Sequence, residues 1–162
     1  MTDTKPVVFL LVGLPGSGKS TYAQALQRQG VFRLSVDERM VAHHGRLGED
    51  YPEERHLALL APVVESVCRE LVELVAAGLS VVFDHGLGTR AEREKYKQLV
   101  VGLGARWRLV HFPVEHSELL RRLAARGQAP GIGQISPEAL AWIAEHSEEP
   151  CGEGEELPEP KP

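Results

Sequence analysis

Up to His146 the chain alternates short apolar runs with longer stretches of mixed polarity. Val7-Val-Phe-Leu-Leu-Val12 is apolar at every position, which marks a strand covered on both faces rather than wetted on one. Lys19 to Gln29 has helical spacing and stops at Gly30. Val31 to Ser35 reads as a second strand, and Asp37 to about His44 as a short helix ended by Gly45. Glu53 to Ala77 is a long helical region closed by Gly78. Pro62 lies inside it, and its missing N–H and its ring predict a kink or break near Leu60. Leu79 to Asp84 is a third strand, Arg90 to Val101 a charged amphipathic helix, and Trp107 to Phe112 a fourth strand. Ser117 to Arg126 reads as a short Arg-rich helix. Pro137 to Glu145 is the last helix, with proline at a first-turn position. Strands that alternate with helices predict an α/β fold: a parallel sheet, helices on both faces and right-handed crossovers.

Composition narrows this further. The 162 residues suit one domain, long enough to bury roughly 70% of the unfolded surface without covalent staples. The longest apolar run is far short of the roughly 20 residues of a membrane span. Two cysteines, Cys68 and Cys151, and an N-terminus without the regions of a signal peptide predict a reducing, cytoplasmic setting. The formal charge of −5 sits in one place: from Ser147 to Pro162 six glutamates face Lys161, and residues 1–146 are balanced. A neutral body has no field to attract a polyanion, so extended nucleic-acid binding is disfavoured. The tail 147–162 is rich in Pro, Gly and Glu with Leu157 as its one aliphatic residue, and is expected to be disordered. The division is thus a domain over 1–146 and a tail over 147–162.

Gly13-Leu14-Pro15-Gly16-Ser17-Gly18-Lys19-Ser20 fits G-x-x-x-x-G-K-[ST] at every fixed position, between a buried strand and a helix. Glycines let the backbone curl so that successive N–H groups point at phosphate oxygens, and the helix adds its positive end. Lys19 is expected to reach the β- and γ-phosphates of ATP, and the Ser20 hydroxyl to bind Mg²⁺.

Two carboxylates stand at strand ends, where ligands of such sheets bind. Asp37 follows the second strand and is placed to accept a proton from an attacking hydroxyl. It serves equally well as a cap on the short helix. Asp84 ends Val81-Val-Phe-Asp84 and is expected to hold Mg²⁺. His85 beside it reads as a loop residue.

Arg121, Arg122 and Arg126 share one short helix, with Glu118 spaced to pair with Arg121 or Arg122. They suit either a solvated ion-paired helix or a lid whose arginines close over the transferring phosphoryl group. Glycines at 127, 131 and 133 suit a mobile segment. Arg39, Arg90 and Arg93 are candidates for gripping an anionic substrate or phosphate. His43, His44 and His56 have no companion at metal-ligand spacing and line either the acceptor side or the surface. Cys68, Trp107 and Trp142 read as packing residues.

Taken in order, these elements resemble the small P-loop kinases grouped with polynucleotide 5′-kinases, chloramphenicol phosphotransferase and zeta toxins. The resemblance rests on Gly13 to Thr21, Ser35-Val-Asp37, Val82-Phe-Asp84, Thr89-Arg90-Ala-Glu-Arg93, and Leu119 to Gly127, and spans roughly residues 6–146. It implies a three-layer α/β/α P-loop NTPase fold with four to five parallel strands, strand one between strands three and four, and a short Arg-rich lid helix. It also implies transfer of the γ-phosphate of ATP to a hydroxyl, with Asp37 activating the acceptor, Asp84 as the strand-three acid, and Arg122 or Arg126 on the phosphates. Polynucleotide kinases carry an arginine three residues after the catalytic aspartate. Here that residue is Met40, and the nearest arginine is Arg39. The reading expected is therefore phosphotransfer to a small antibiotic-like or nucleoside-like alcohol. A polynucleotide 5′-hydroxyl kinase and a slowly hydrolysing NTP-binding switch are the alternatives.

Overall fold

The computed structural model describes residues 5–47, 49–85, 87–126 and 136–158. Its strands are β1 (Val7–Val12), β2 (Phe32–Ser35), β3 (Val81–Asp84), β4 (Arg106–His111) and β5 (Glu155–Glu156). They form one sheet in the order β2-β3-β1-β4-β5, with every pairing parallel. The apolar β1 is central, between β3 and β4. Its alternate side chains feed the two faces, as period-2 geometry requires.

Val8, Leu10 and Val12 join a core with α3 (His56–Ala76) and α4 (Arg90–Gly102), through Val63, Val67, Leu71, Val75, Tyr96 and Val100. Phe9 and Leu11 face the other way and pack with Ala23 of α1 (Lys19–Arg28), Val82, Val110 and Phe112. The remaining helices are α2 (Val36–His44), α5 (His116–Arg126) and α6 (Pro137–Glu145). Ser35, Thr89 and Ser136 cap α2, α4 and α6 by accepting from the N–H three residues on.

Two expectations are corrected, and a third, the kink or break at Pro62, is narrowed because the helix is not broken there. A 3-10 turn over Glu53–Arg55 precedes α3, which then runs through Pro62 without a break; the buried stripe of Val63, Val67, Leu71 and Val75 holds the helix on the sheet across that lost donor. Trp142 is 57% exposed and stacks on His146 with ring centroids 4.0 Å apart, rather than packing inside. The tail is not a disordered strand of glutamates as far as Pro158. Glu155 and Glu156 pair with Leu109 and Val110 as the edge strand, and the Glu153 side chain is buried against Arg93. The tail is held by acidic groups that find guanidinium partners in Arg93 and Arg108, by backbone pairing with β4 and by the buried Pro150. Residues 159–162 lie outside the described residues.

Candidate active site

Parallel strands bring their carboxyl ends to one edge of the sheet, and the register fixes which residues meet there. Leu10 pairs with Phe83 and Ser35 with Asp84. The loop after β1, the acid at the end of β3 and the start of α2 after β2 are therefore neighbours.

The loop Gly13–Ser20 is tightly wound. Gly16 and Gly18 take φ of 86° and 103°, which residues with a Cβ rarely adopt. A Cβ on Gly13 would stand 2.4 Å from Ser17 Oγ and 3.1 Å from Phe112 Cβ, while one on Gly18 would meet nothing within 4 Å. Gly18 is the N-cap of α1 and supplies no side-chain cap, and the first turn holds no acidic residue. The leading N–H groups of Ser20 and Thr21 are thus open to an external acceptor. Ser17 Oγ is buried with no hydrogen-bond partner. Uncapped amides, an orphaned hydroxyl and the open face at Gly18 make a donor set that fits a polyphosphate. Lys19 Nζ donates to the carbonyl oxygens of Gly13 (2.5 Å) and Leu14 (3.4 Å), which folds its ammonium back over the loop.

Ser20 Oγ donates to Asp84 Oδ2 at 3.2 Å. A hydroxyl and a carboxylate side by side are hard oxygen donors that fit Mg²⁺. Elsewhere among the described residues no group of three or more His, Cys, Asp or Glu is arranged to hold a metal. Asp84 is 5% exposed and is also held by Arg33 Nη2 at 2.8 Å. Sequence reasoning missed Arg33. The available signal was a lone charge between Phe32 and Leu34 in a strand, two residues short of the sheet's carboxyl edge.

Asp37 lies exposed in the first turn of α2, after the Ser35 cap. Its charge reaches two neighbours. Burial, then the Asp37 carboxylate, raises Tyr51 above the usual phenol range. Burial pushes the His85 imidazole down, and the Asp37 charge opposes that shift. The Lys19 charge adds to the downward shift of His85, whose ring is edge-on to Phe83. Tyr51 is buried, its hydroxyl 2.9 Å from His56 Nδ1, and His44 meets its ring edge-on. His44, at the C-terminal end of α2, therefore lies in an aromatic cluster with Tyr51 and His56.

The candidate arginines separate. On α5, Arg122 donates Nη1 to the Gly16 carbonyl at 3.1 Å and Nε to Glu118 at 3.0 Å. Leu119 and Leu123 face Gly16, so α5 sits on the loop. Glu118 is pushed down to about 2 by hydrogen bonds from Arg121 and Arg122. Arg126 is the last residue of α5, and its side chain lies outside the described residues, as do the glycines at 127, 131 and 133. Arg90 is exposed at the start of α4.

Arg93 is corrected as a substrate candidate, and Arg39 is found paired with a carboxylate of α3. Arg39 pairs with Glu70 and donates to Ser66 Oγ on α3, drawn there by the nearer carboxylate. Arg93 is fully buried, donating to both oxygens of Glu153 and to the Leu87 carbonyl at 3.0 Å. Cys68 packs against the core as expected, its Sγ 3.3 Å from Tyr96 Oη.

A parallel sheet with β1 between β3 and β4, a glycine-rich phosphate loop after β1 and an acid at the end of β3 define a P-loop NTPase. The family model that matches the chain, an AAA domain, spans residues 8–150, and the chain belongs to that family. No curated protein matches the sequence. Solved structures that share the fold include several described as kinases. A chain of the Pnkp1/Rnl/Hen1 RNA repair complex superposes with a TM-score of 0.72 at 20% identity, over 90% of this chain and 45% of that one. This chain thus spans less than half of that relative. A gluconokinase from Sinorhizobium meliloti 1021 gives a TM-score of 0.59 at 20% identity, covering 95% of this chain and 81% of the other. A sugar kinase from Janibacter sp. HTCC2649 gives 0.62 at 16%, covering 96% and 84%. No described helix is long and apolar enough to cross a membrane.

Proposed function

We propose that the protein is an ATP-dependent phosphotransferase that moves the γ-phosphoryl group of ATP to a hydroxyl of a small molecule. The observation that supports this reading is that the carboxyl ends of β1, β3 and β2 share one edge of the sheet, where the loop with Lys19 and Ser20, the strand-end Asp84 and the first turn of α2 with Asp37 follow them. In the proposed reaction the acceptor oxygen attacks the γ-phosphorus and the bond to the β,γ-bridging oxygen breaks. The acceptor proton passes to an Asp37 oxygen, and ADP leaves.

The amides of residues 16–21 hold the phosphates, and Lys19 exchanges its carbonyl partners for phosphate oxygens. Arg122, which α5 carries against Gly16, would add its charge to the same oxygens. Mg²⁺, held by Ser20 and Asp84, would supply charge neutralisation on the phosphate oxygens. Arg126, Arg90 and His44 remain candidates for the phosphate and acceptor sides.

A small acceptor is favoured over a polynucleotide because Met40, three residues after Asp37, is an apolar core residue and offers no cation to a nucleic-acid phosphate, while Arg39 beside it is engaged by Glu70. The test is ADP release from Mg·ATP across a panel of alcohols, with labelled ATP and a 5′-hydroxyl oligonucleotide in parallel. One or more alcohols are expected to stimulate release, Asp37→Asn to lower it by about 10²–10⁴-fold with nucleotide affinity intact, and the oligonucleotide to stay unlabelled. Release that no alcohol stimulates and Asp37→Asn leaves unchanged would mean a switch. A labelled oligonucleotide would mean a polynucleotide kinase.

A further inference from the structure

The carboxylate assigned to the metal already has a cation of its own. Arg33 rises from β2, 6% exposed in its side chain, and donates Nη2 to Asp84 Oδ2 at 2.8 Å. Its Nη1 lies 2.7 Å from Glu38 Oε1. The oxygen it holds is the one that accepts from Ser20 Oγ at 3.2 Å, and so the one a metal between Ser20 and Asp84 would use. The Asp84 side chain is 5% exposed and that of Glu38 64%. One partner of Arg33 is thus enclosed and the other is in water.

We infer that Arg33 is a built-in but displaceable counter-cation for Asp84, which keeps this carboxylate from capturing a divalent ion alone and makes metal entry depend on the nucleotide's phosphates. The inference rests on the proposed nucleotide site and concerns the order in which its occupants arrive. A guanidinium keeps its charge at any working pH, so Asp84 is neutralised whenever the pair is made. Affinity for hard divalent ions follows the negative charge of the ligand set, and Ser20 brings none. A nucleotide brings its own phosphate charge with the metal, enough to compete for Oδ2. Glu38 then matters: Arg33 can yield Oδ2 and still keep an anion through Nη1. The exposed glutamate is the parking place that lets the exchange occur without stranding a buried charge.

The test uses the full chain without nucleotide and Mn²⁺ as probe, followed by electron paramagnetic resonance of the free ion, with thermal melting alongside. Wild type is expected to show no Asp84-dependent Mn²⁺ site, and to gain one when a non-hydrolysable ATP analogue is added. Arg33→Gln is expected to bind one Mn²⁺ at least tenfold more tightly than wild type. Its melting temperature should rise with Mn²⁺, and adding Asp84→Asn should abolish both effects. Arg33→Lys keeps the charge and is expected to stay weak.

A folded Arg33→Gln with wild-type Mn²⁺ affinity overturns the inference. So does a wild type that binds Mn²⁺ without nucleotide and loses it in Asp84→Asn, a comparison that holds even where Arg33→Gln does not fold. Wild type that still binds the ATP analogue in either case leaves the nucleotide site standing, so the two failures are distinct.

Discussion

Arg93 and Glu153 meet inside the protein 60 residues apart in sequence, joined by hydrogen bonds of 2.8 and 3.0 Å, with their side chains 0% and 2% exposed. The pair ties the C-terminal segment to α4, and Arg93 passes the tie on to the Leu87 carbonyl in the loop after Asp84. Lys97 Nζ adds a bond of 2.7 Å to the Glu153 carbonyl, and the Glu148 N–H donates to the Gly88 oxygen at 2.6 Å.

Glu153→Ala strands a buried guanidinium. Such a change costs about 3–5 kcal/mol, or roughly 6–20 °C in melting temperature for a domain of this size. Arg93→Met with Glu153→Leu removes both charges and is expected to recover most of that loss. Removal of residues 147–162 should destabilise at least as much as Glu153→Ala. Calorimetry of the four proteins checks the set, and a Glu153→Ala melting point equal to that of wild type would mean the pair contributes nothing.

The same pair sets an acid limit. Hydrogen bonds from Arg93 hold the Glu153 carboxyl below its ordinary value of 4.5. In the unfolded chain Glu153 takes up its proton at the ordinary value, so below it the unfolded state binds more protons than the folded one. The contribution of the pair is fully present above about pH 4.5 and is lost as pH falls through the lowered folded value. Urea midpoints measured from pH 7 to 3 should converge for wild type and Glu153→Gln at the acid end. Parallel curves would contradict this.

Two glycines of the phosphate loop are expected to fail for different reasons. Gly13→Ala drives a methyl into Ser17 Oγ and Phe112 Cβ, an overpacking expected to cost about 1–3 kcal/mol. Gly18→Ala meets open space but must hold φ near 103°, a strain of about 1–2 kcal/mol. A crystal structure of each variant separates them: displaced Ser17 in the first, altered backbone at residue 18 in the second.

Lys19→Ala is expected to weaken ATP binding more than tenfold by titration calorimetry while leaving the melting temperature of the free protein within a few degrees. Two of the lysine's bonds are to carbonyls of its own loop. Unchanged affinity would remove the loop from the binding site.

The sheet and its phosphate loop were legible because their signals are local. The apolar run of β1 has one stable place in an α/β fold, and the loop's glycines and lysine act through their own backbone. Asp84 was legible because a strand end names its own edge of the sheet. Arg39 and Arg93 were not, since a helical arginine goes to whichever carboxylate the tertiary fold brings closest, here Glu70 and Glu153. Glu153 was missed for the same reason: a glutamate between glycines reads as solvated until a buried guanidinium claims it. The misread tail and the misread Arg93 are one error seen from its two ends.

During synthesis Arg93 leaves the ribosome well before its partner. Until Glu153 follows, the guanidinium has no anion at its burial place and the outer edge of β4 stands open. A nascent chain halted in that interval carries both an uncompensated charge and an exposed sheet edge, features that invite aggregation and hold it at a half-finished stage.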